Sequence, residues 1–241
     1  VRTALISDIH SNLQALERVF EDITERGVDK ICCLGDIVGY GANPRESIAL
    51  VREKCAYVIA GNHDWGIVGK ADLSKFSTSA RIAADWTADV LDFEEKHYLA
   101  GLPLKIELEN TCLVHSTPRE PENWGYLNWA PSLPAQFASF EGQVCFVGHI
   151  HSPIIWNDLG EKTIPKDGEP FRLDQGTRYF VNAGSVGQPR DGDSRAAYVL
   201  LDDELFEISL IRLDYDVEKA ANEIEKAGLP SKLALRLYRG F

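Results

Sequence analysis

Through the first sixty residues, short apolar runs alternate with stretches of helical periodicity, and each run stops at a polar motif. Arg2 to Ser7 reads as a strand ending at Asp8. Leu13, Leu16, Phe20 and Ile23 then recur at helical spacing behind the N-cap candidates Ser11 and Asn12, and Gly27 closes the helix. The pattern predicts a second strand over Lys30 to Leu34, a short helix from Pro44 toward Arg52, and a third strand over Ala56 to Ala60, ending at Gly61-Asn62. This β-α-β-α-β order predicts parallel strands with right-handed crossovers. Such sheets collect functional groups beyond the carboxyl ends of their strands, where Asp8, Asp36 and Asn62 fall.

The rest of the chain has a different rhythm. Residues 77–99 predict mainly helix, with Ile82, Trp86 and Val90 on one stripe. Leu104 to Leu108 and Thr111 to Val114 predict a hairpin around Glu109-Asn110, whose second strand delivers His115. A loop rich in proline and aromatics runs from Thr117 to Pro131, a short helix follows, and Val144 to Val147 then delivers Gly148-His149-Ile150-His151. Alternating segments near 154–158, 171–173, 178–182, 196–201 and 205–213 predict a second, largely antiparallel sheet. Residues 216–237 read as helical, interrupted by Gly228-Leu229-Pro230; residues 216–241 would be a C-terminal helical extension of a single domain spanning residues 1–241.

Composition narrows the class. At 241 residues the chain is long enough to bury a large core. No apolar stretch approaches the roughly 20 residues of a membrane-spanning helix, so no membrane insertion is expected. The chain opens on Val1 and not on Met; Val1 to Ser7 reads as a strand and not as a signal peptide, which makes the cytoplasm the expected compartment. The cysteines at 32, 33, 55, 112 and 145 are odd in number and form no Cys-x-x-Cys, which predicts reduced thiols and no disulfide framework. Cys32 and Cys33 are expected to face opposite sides of their strand. A formal net charge of −12, from 37 acids against 25 bases, opposes stable binding to nucleic acid. Any phosphate must be gripped locally.

The candidate chemistry lies at the ends of the apolar runs. Five of the six histidines fall in five motifs: Asp8-Ile9-His10, Gly35-Asp36, Gly61-Asn62-His63-Asp64, His115 and Gly148-His149-Ile150-His151. Only Gly35-Asp36 carries none. Such groups are costly to bury unless paired or ligated, and two divalent ions would satisfy them. Carboxylate oxygens with imidazole nitrogens suit Mn²⁺, Fe or Zn²⁺, while the absence of thiolates from the motifs argues against a structural zinc site. Asp8 and His10 are spaced to point to one side, as are His149 and His151. A carboxylate can bridge two ions, and Asp36, alone after Gly35, is the candidate; Asn62 adds a carbonyl oxygen. Taken singly, any of these histidines could be a hydrogen-bonded core residue and the Gly-Asp and Gly-Asn pairs mere turns. His97, beside Glu94, Glu95 and Lys96, reads as an ordinary solvated or packing histidine.

The ordered set Asp-x-His, Gly-Asp, Gly-Asn-His-Asp, His and Gly-His-x-His, complete over residues 8–151, resembles the calcineurin-like metallophosphoesterase superfamily. The contexts Gly35-Asp36-Ile37-Val38-Gly39-Tyr40-Gly41 and Asn182-Ala183-Gly184-Ser185-Val186-Gly187-Gln188-Pro189-Arg190 look like its small bacterial phosphodiesterase-like branch, related to diadenosine tetraphosphatases and Ser/Thr protein phosphatases. The resemblance implies an α/β fold, a sandwich of two mixed β-sheets flanked by helices. It implies one ion held by Asp8, His10, Asp36 and His151 and another by Asp36, Asn62, His115 and His149. His63 matches the family histidine near the leaving group, with Asp64 as its orienting partner. Gly39-Tyr40 stands where the protein phosphatases carry an Asp-Arg pair, a departure from that subfamily, and Asp64 stands where they carry Glu.

The expected function is hydrolysis of a small or nucleotide phosphoester, as phosphodiesterase or phosphatase. The expected cofactors are two divalent transition-metal ions, manganese foremost, with iron or zinc as alternatives. A hydroxide bridging the ions would attack phosphorus in line, because coordination lowers the pKa of water from about 15.7 toward 7, and His63 would assist the leaving group. Two divalent ions against Asp8, Asp36 and one hydroxide leave the centre positive, a natural host for an anionic phosphoryl group. The alternative is a catalytically weak metal-binding scaffold or interaction protein of the same fold, which would be expected to show substituted ligands or a lost His63. Arg190 is a candidate phosphate contact or a plain surface arginine. Trp124, Tyr126 and Trp129 are candidates for stacking on a base or sugar, or for packing their loop onto the core.

Overall fold

The computed structural model describes residues 1–127 and 133–241. Its first third follows the strand-helix alternation. Strands β1 (Arg2–Ile6), β2 (Lys30–Cys33) and β3 (Tyr57–Val58) are parallel neighbours, connected by helices α1 (Leu13–Glu25) and α2 (Pro44–Lys54). The Asn12 side chain accepts from the Ala15 N–H and so caps one of the donors that a helix start leaves unpaired. Helix α1 buries Leu16, Val19, Phe20 and Ile23 on the face that covers the sheet. The third strand is shorter than Ala56 to Ala60, and Asn62 opens a helix, α3 (Asn62–Ile67), instead of a turn.

Residues 77–99 form two helices, α4 (Thr78–Val90) and α5 (Phe93–Gly101). The break is local chemistry. The Asp92 carboxylate accepts from Glu95 N while the Glu95 carboxylate accepts from Asp92 N, a reciprocal cap that starts a new helix. The expected hairpin follows as β4 (Lys105–Glu107) and β5 (Thr111–Val114), and after a short α6 (Leu133–Phe137) comes β6 (Val144–Val147).

The distribution of the remaining strands departs from the sequence expectation. They are β7 (Ile154–Asn157), β8 (Lys162–Thr163), β9 (Pro170–Arg172), β10 (Tyr179–Asn182), β11 (Ala196–Asp202) and β12 (Glu207–Leu213). They do not build a separate antiparallel sheet. Strands β11, β12 and β9 extend the first sheet, in the order β3-β2-β1-β11-β12-β9, with β1 antiparallel to β11. Strands β10, β7 and β8 complete a second sheet, in the order β4-β5-β6-β10-β7-β8, whose centre β5-β6-β10 is parallel. Both sheets are therefore mixed. Alternation along a strand reveals which face is buried, not which neighbour it meets.

Between the sheets lie Leu5, Cys32, Leu113, Phe146, Val181 and Val199, while Ala4, Ile6 and Cys33 face the helices. Cys32 and Cys33 thus occupy opposite faces, as the strand period requires. Each fully buried large apolar side chain in such a core contributes about 1.5–3 kcal/mol. The five cysteines are free. The C-terminal helices α7 (Val217–Lys226) and α8 (Ser231–Arg239), divided at Gly228 to Pro230, pack through Ala221, Ile224, Leu233 and Leu237 against Ala80 and Ala83 of α4 and against Tyr40. No helix among the described residues is long and apolar enough to cross a membrane.

Candidate metal centre

Four loops leave the strand ends carrying acids and histidines, and a fifth motif opens α3. Asp8, His10, Asp36, His149 and His151 all adopt positive φ, between 51° and 68°. Left-handed backbone costs a non-glycine residue on the order of 1–3 kcal/mol and persists only where the surroundings enforce it. Here it turns side chains of successive loops back toward one point. Gly61 has a different constraint: a Cβ on it would meet Asp36 Oδ1 at 2.0 Å.

The convergence is tight. Asp8, His10, Asp36 and His151 each bring a donor atom within 4.8 Å of the others, and so do Asp36, His115 and His149. Both groups are buried and able to hold a metal ion. Asp36 belongs to both. Its Oδ1 accepts from the His63 backbone N–H at 2.8 Å, which turns Oδ2 to within 3.6 Å of His10 Nε2 and 3.4 Å of His115 Nε2.

Backbone carbonyls set the tautomers. A carbonyl only accepts, so His10 Nδ1 donates to Val38 O, His115 Nδ1 to Leu34 O and His151 Nδ1 to Gln188 O, at 3.2, 2.7 and 2.6 Å. In the neutral ring each Nε2 is then left with its lone pair toward the centre. His149 is held the other way, with Nε2 donating to Trp124 O at 3.2 Å and Nδ1 left free. Nε2 of His10 and Nε2 of His151 stand 3.2 Å apart. Two lone pairs at that separation repel unless a cation or proton lies between them. His115 Nε2 and Asn62 Oδ1 are buried with no hydrogen-bond partner, a cost that ligation removes. The donor set of carboxylates, imidazoles and one amide oxygen fits divalent transition ions.

Electrostatics follow from burial and these contacts. Burial pushes the Asp8 carboxyl up, yet adjacent His151 outweighs it and the group lies well below the usual carboxylate range. Asp36 is likewise held down, chiefly by His115 and then His63, against burial. Burial disfavours charge on His115, but Asp36 and Asp8 raise it to about 9. His149 falls to about 3 through burial and the proximity of His115. Burial also takes His63 to about 4.

His63 packs against His10, Tyr40 and Phe76, with ring centroids 4.8, 4.5 and 4.5 Å away. Its Nδ1 is buried without a partner, and the residue lines the cavity. Asp64 does not orient it. Both Asp64 oxygens are taken by backbone donors: Ile37 and Val38 N–H on Oδ1, and Gly61 N–H on Oδ2. The carboxylate lies at the start of α3, so it caps that helix and ties the Asp36 loop to the Asn62 loop. Burial and the charge of Asp36 push Asp64 up to about 7.

The centre floors a cavity of about 800 Å³ among the described residues, lined also by Asn62, Trp124, Tyr126, Arg190 and Arg236. The two described aromatics differ. Trp124 is packed edge-on against Trp65 and His115 and holds His149 through its carbonyl, so it braces two of the candidate ligands. Tyr126 is 56 % exposed and stacks on His149 at 4.3 Å. Trp129 lies outside the described residues. His97 is an exposed residue of α5 stacked on Phe93, as its charged surroundings predicted.

Several supporting groups carried no signal as chemistry in the sequence. Ser7 Oγ donates to Asp8 Oδ2 at 2.6 Å, Ser185 Oγ to Asp8 O at 2.8 Å, and Asn182 Nδ2 to Gly148 O. Only the likeness of Asn182 to Arg190 to a family segment pointed toward that loop.

A model of the calcineurin-like phosphoesterase superfamily domain matches residues 1–204. An uncharacterized protein of Methanocaldococcus jannaschii is 43 % identical over 242 residues, covering 98 % of this chain and 97 % of that one. The crystal structure of a metallophosphoesterase from Sphaerobacter thermophilus superposes with a TM-score of 0.90 at 38 % identity, over 100 % of this chain and 99 % of that one. Phosphodiesterase YfcE of Escherichia coli K12 is 25 % identical over 214 residues, covering 84 % and 88 % of the two chains. With its buried aspartate and histidine clusters, the chain belongs to the calcineurin-like phosphoesterase superfamily and is a metallophosphoesterase-type hydrolase.

Proposed function

We propose that the chain is a dinuclear metal-dependent phosphoesterase acting on a small or nucleotide substrate, with Asp36 shared between the two ions. The observation that carries this reading is Asp36 Oδ2, set between His10 Nε2 and His115 Nε2 while Oδ1 is pinned by a backbone N–H. Asp8, His10 and His151 would complete one ion's ligands; Asn62, His115 and His149 would complete the other's. When bound, two divalent ions supply an activated water and a positive surface for the phosphoryl oxygens. His63, neutral at physiological pH, presents Nε2 to the cavity as a hydrogen-bond donor for the leaving oxygen. Asp64 is a positioning residue that keeps the two ligand loops in register. The intact ligand set and His63 favour hydrolysis over the scaffold alternative, and the likeness to a phosphodiesterase favours diester substrates.

Chelation is expected to abolish phosphoesterase activity and Mn²⁺ to restore it, in a screen of aryl phosphomonoesters, aryl phosphodiesters, cyclic nucleotides and dinucleoside polyphosphates. Metal uptake should also be pH-dependent. His115 holds its proton up to about pH 9 and must lose it to ligate, whereas His149 is already neutral. Affinity should therefore rise with pH and level off near 9, with proton release on binding at pH 7. Calorimetry in buffers of different ionisation enthalpy measures that release. Uptake that is flat with pH and releases no proton would count against His115 as a ligand.

Tyr126 supports a nucleotide substrate, since its exposed ring stands on a ligand histidine at the cavity wall. Tyr126→Ala is expected to raise KM for a nucleotide relative to a small aryl phosphoester by the equivalent of about 1–3 kcal/mol, the worth of a base-aromatic stack. Comparable KM changes for both substrates would remove the stacking role.

A further inference from the structure

Two arginines, Arg190 and Arg236, line the wall of the cavity, which Lys70, Lys75, Asp72 and Glu122 also line. Arg190 donates from Nη2 to Gln188 Oε1 at 2.9 Å and to the Tyr40 hydroxyl at 3.4 Å, and its Nε is buried with no partner. Arg236, from α8, donates Nε to the Phe241 main-chain oxygen. Among the described residues neither is paired with an aspartate or glutamate. The nearby Asp72 carboxylate is engaged by the backbone and hydroxyl of Ser74. Burial, and then the charge of Arg190, depress the pKa of Arg236. A protein with a net charge of −12 has carboxylates in excess, yet among the described residues neither of these half-buried guanidinium groups forms an ion pair with an aspartate or glutamate.

The pair is built, not accidental. Gly192 N donates to Gly240 O at 3.0 Å, fastening the loop of Arg190 to the end of α8. Gly240 has φ of 65°, and a Cβ there would meet the Asp193 backbone at 2.6 Å, so the close approach requires glycine. The Tyr40 ring packs on His10 and His63, and the Arg190 guanidinium lies 5.7 Å from its centroid, which sets the arginine back from the ligands by one aromatic ring.

We propose that Arg190 and Arg236 bind a second phosphate of the substrate, so that the preferred substrate is a phosphoester carrying another phosphate group. The inference rests on the phosphoesterase reading of the metal centre and deepens it. Two full positive charges with free N–H donors match a phosphate dianion, whereas one carboxylate would leave an arginine uncompensated. Arg236 lies beyond residue 204, outside the segment matched by the superfamily model, so it is a feature of the C-terminal helices.

The test uses the metal-loaded protein and a short series of alkane diphosphonates, whose carbon-phosphorus bonds resist hydrolysis, with the matching monophosphonates. Calorimetry gives both affinities. The native protein is expected to prefer the best-fitting diphosphonate by about tenfold or more, the size of one or two charge-assisted contacts. Arg236→Gln should remove most of that preference and Arg236→Lys should keep part of it, with melting temperatures confirming that both variants fold. A preference that survives Arg236→Gln overturns the proposal, as does equal weakening of both ligands, which would put Arg236 on the phosphoryl group at the metals. Should Arg236→Gln melt early, Arg236→Lys and Arg190→Lys decide by the same ratio, and unchanged ratios in both overturn it. If the native protein hydrolyses no phosphoester but the preference depends on Arg236, the metal-centre reading fails while the anion clamp stands.

Discussion

Replacing Asp36 with alanine is expected to strip metal from both halves of the centre, whereas His10→Ala should weaken mainly one. The reason is geometric. Asp36 Oδ2 is the donor common to both buried groups, within 3.6 Å of His10 Nε2 and 3.4 Å of His115 Nε2, while His10 belongs to a single group. Metal ions commonly contribute several kcal/mol of transition-state stabilisation, so Asp36→Ala should lower the rate by on the order of 10³-fold or more. Elemental analysis and kcat/KM are measured on the same preparations. Asp36→Asn serves as control, because its amide oxygen can still accept from the His63 backbone N–H that pins Oδ1 in the native protein. Equal metal loss in Asp36→Ala and His10→Ala would argue against a shared ligand.

His63→Ala is expected to behave in the opposite way, keeping its metals and losing rate. Its ring lies against His10 without lying in either candidate ligand group, and the residue lines the cavity. A group that assists proton or hydrogen-bond transfer at the leaving oxygen contributes about 10²–10⁴-fold. The loss should shrink for p-nitrophenolate, which leaves readily, and grow for poor leaving groups. Because burial holds His63 near a pKa of about 4, it stays neutral across the usual assay range. Its contribution should therefore not titrate near pH 6.5, and a limb there that disappears in His63→Ala would contradict the neutral role. Loss of metal along with rate would make His63 a ligand or a structural residue instead.

Asp64 illustrates how a motif misleads at the level of contacts. The family resemblance implies it as the orienting partner of His63. In the fold its two oxygens serve three backbone N–H groups at the start of α3 and in the Asp36 loop. Neighbours in a motif share a position in the chain, but on a helix successive side chains point in different directions. Trp124 shows a contact that its sequence does not announce. As an aromatic loop residue it is a candidate for stacking on substrate or for packing its loop onto the core, and in the tertiary structure its carbonyl accepts from His149, a candidate ligand.

What the sequence determined by itself was local. Apolar runs closing on Asp8, Asp36, Asn62, His115 and His149 marked strand ends, and buried imidazoles and carboxylates there have few physical solutions other than a metal centre. Helix starts were legible where a capping side chain, such as Asn12, sits beside an apolar stripe. Tertiary structure alone decided which strands meet. β11 and β12 join the sheet of β1, and β10 joins that of β6, because period-two alternation encodes a buried face and carries no address for the neighbour. It alone decided that Asp36 Oδ2 faces two groups, that Ser7 and Ser185 brace Asp8, and that Arg236, the most distant of these in sequence, reaches the same cavity as Asp36. Those relations link residues far apart along the chain, and they exist only once packing has brought the loops and the last helix together.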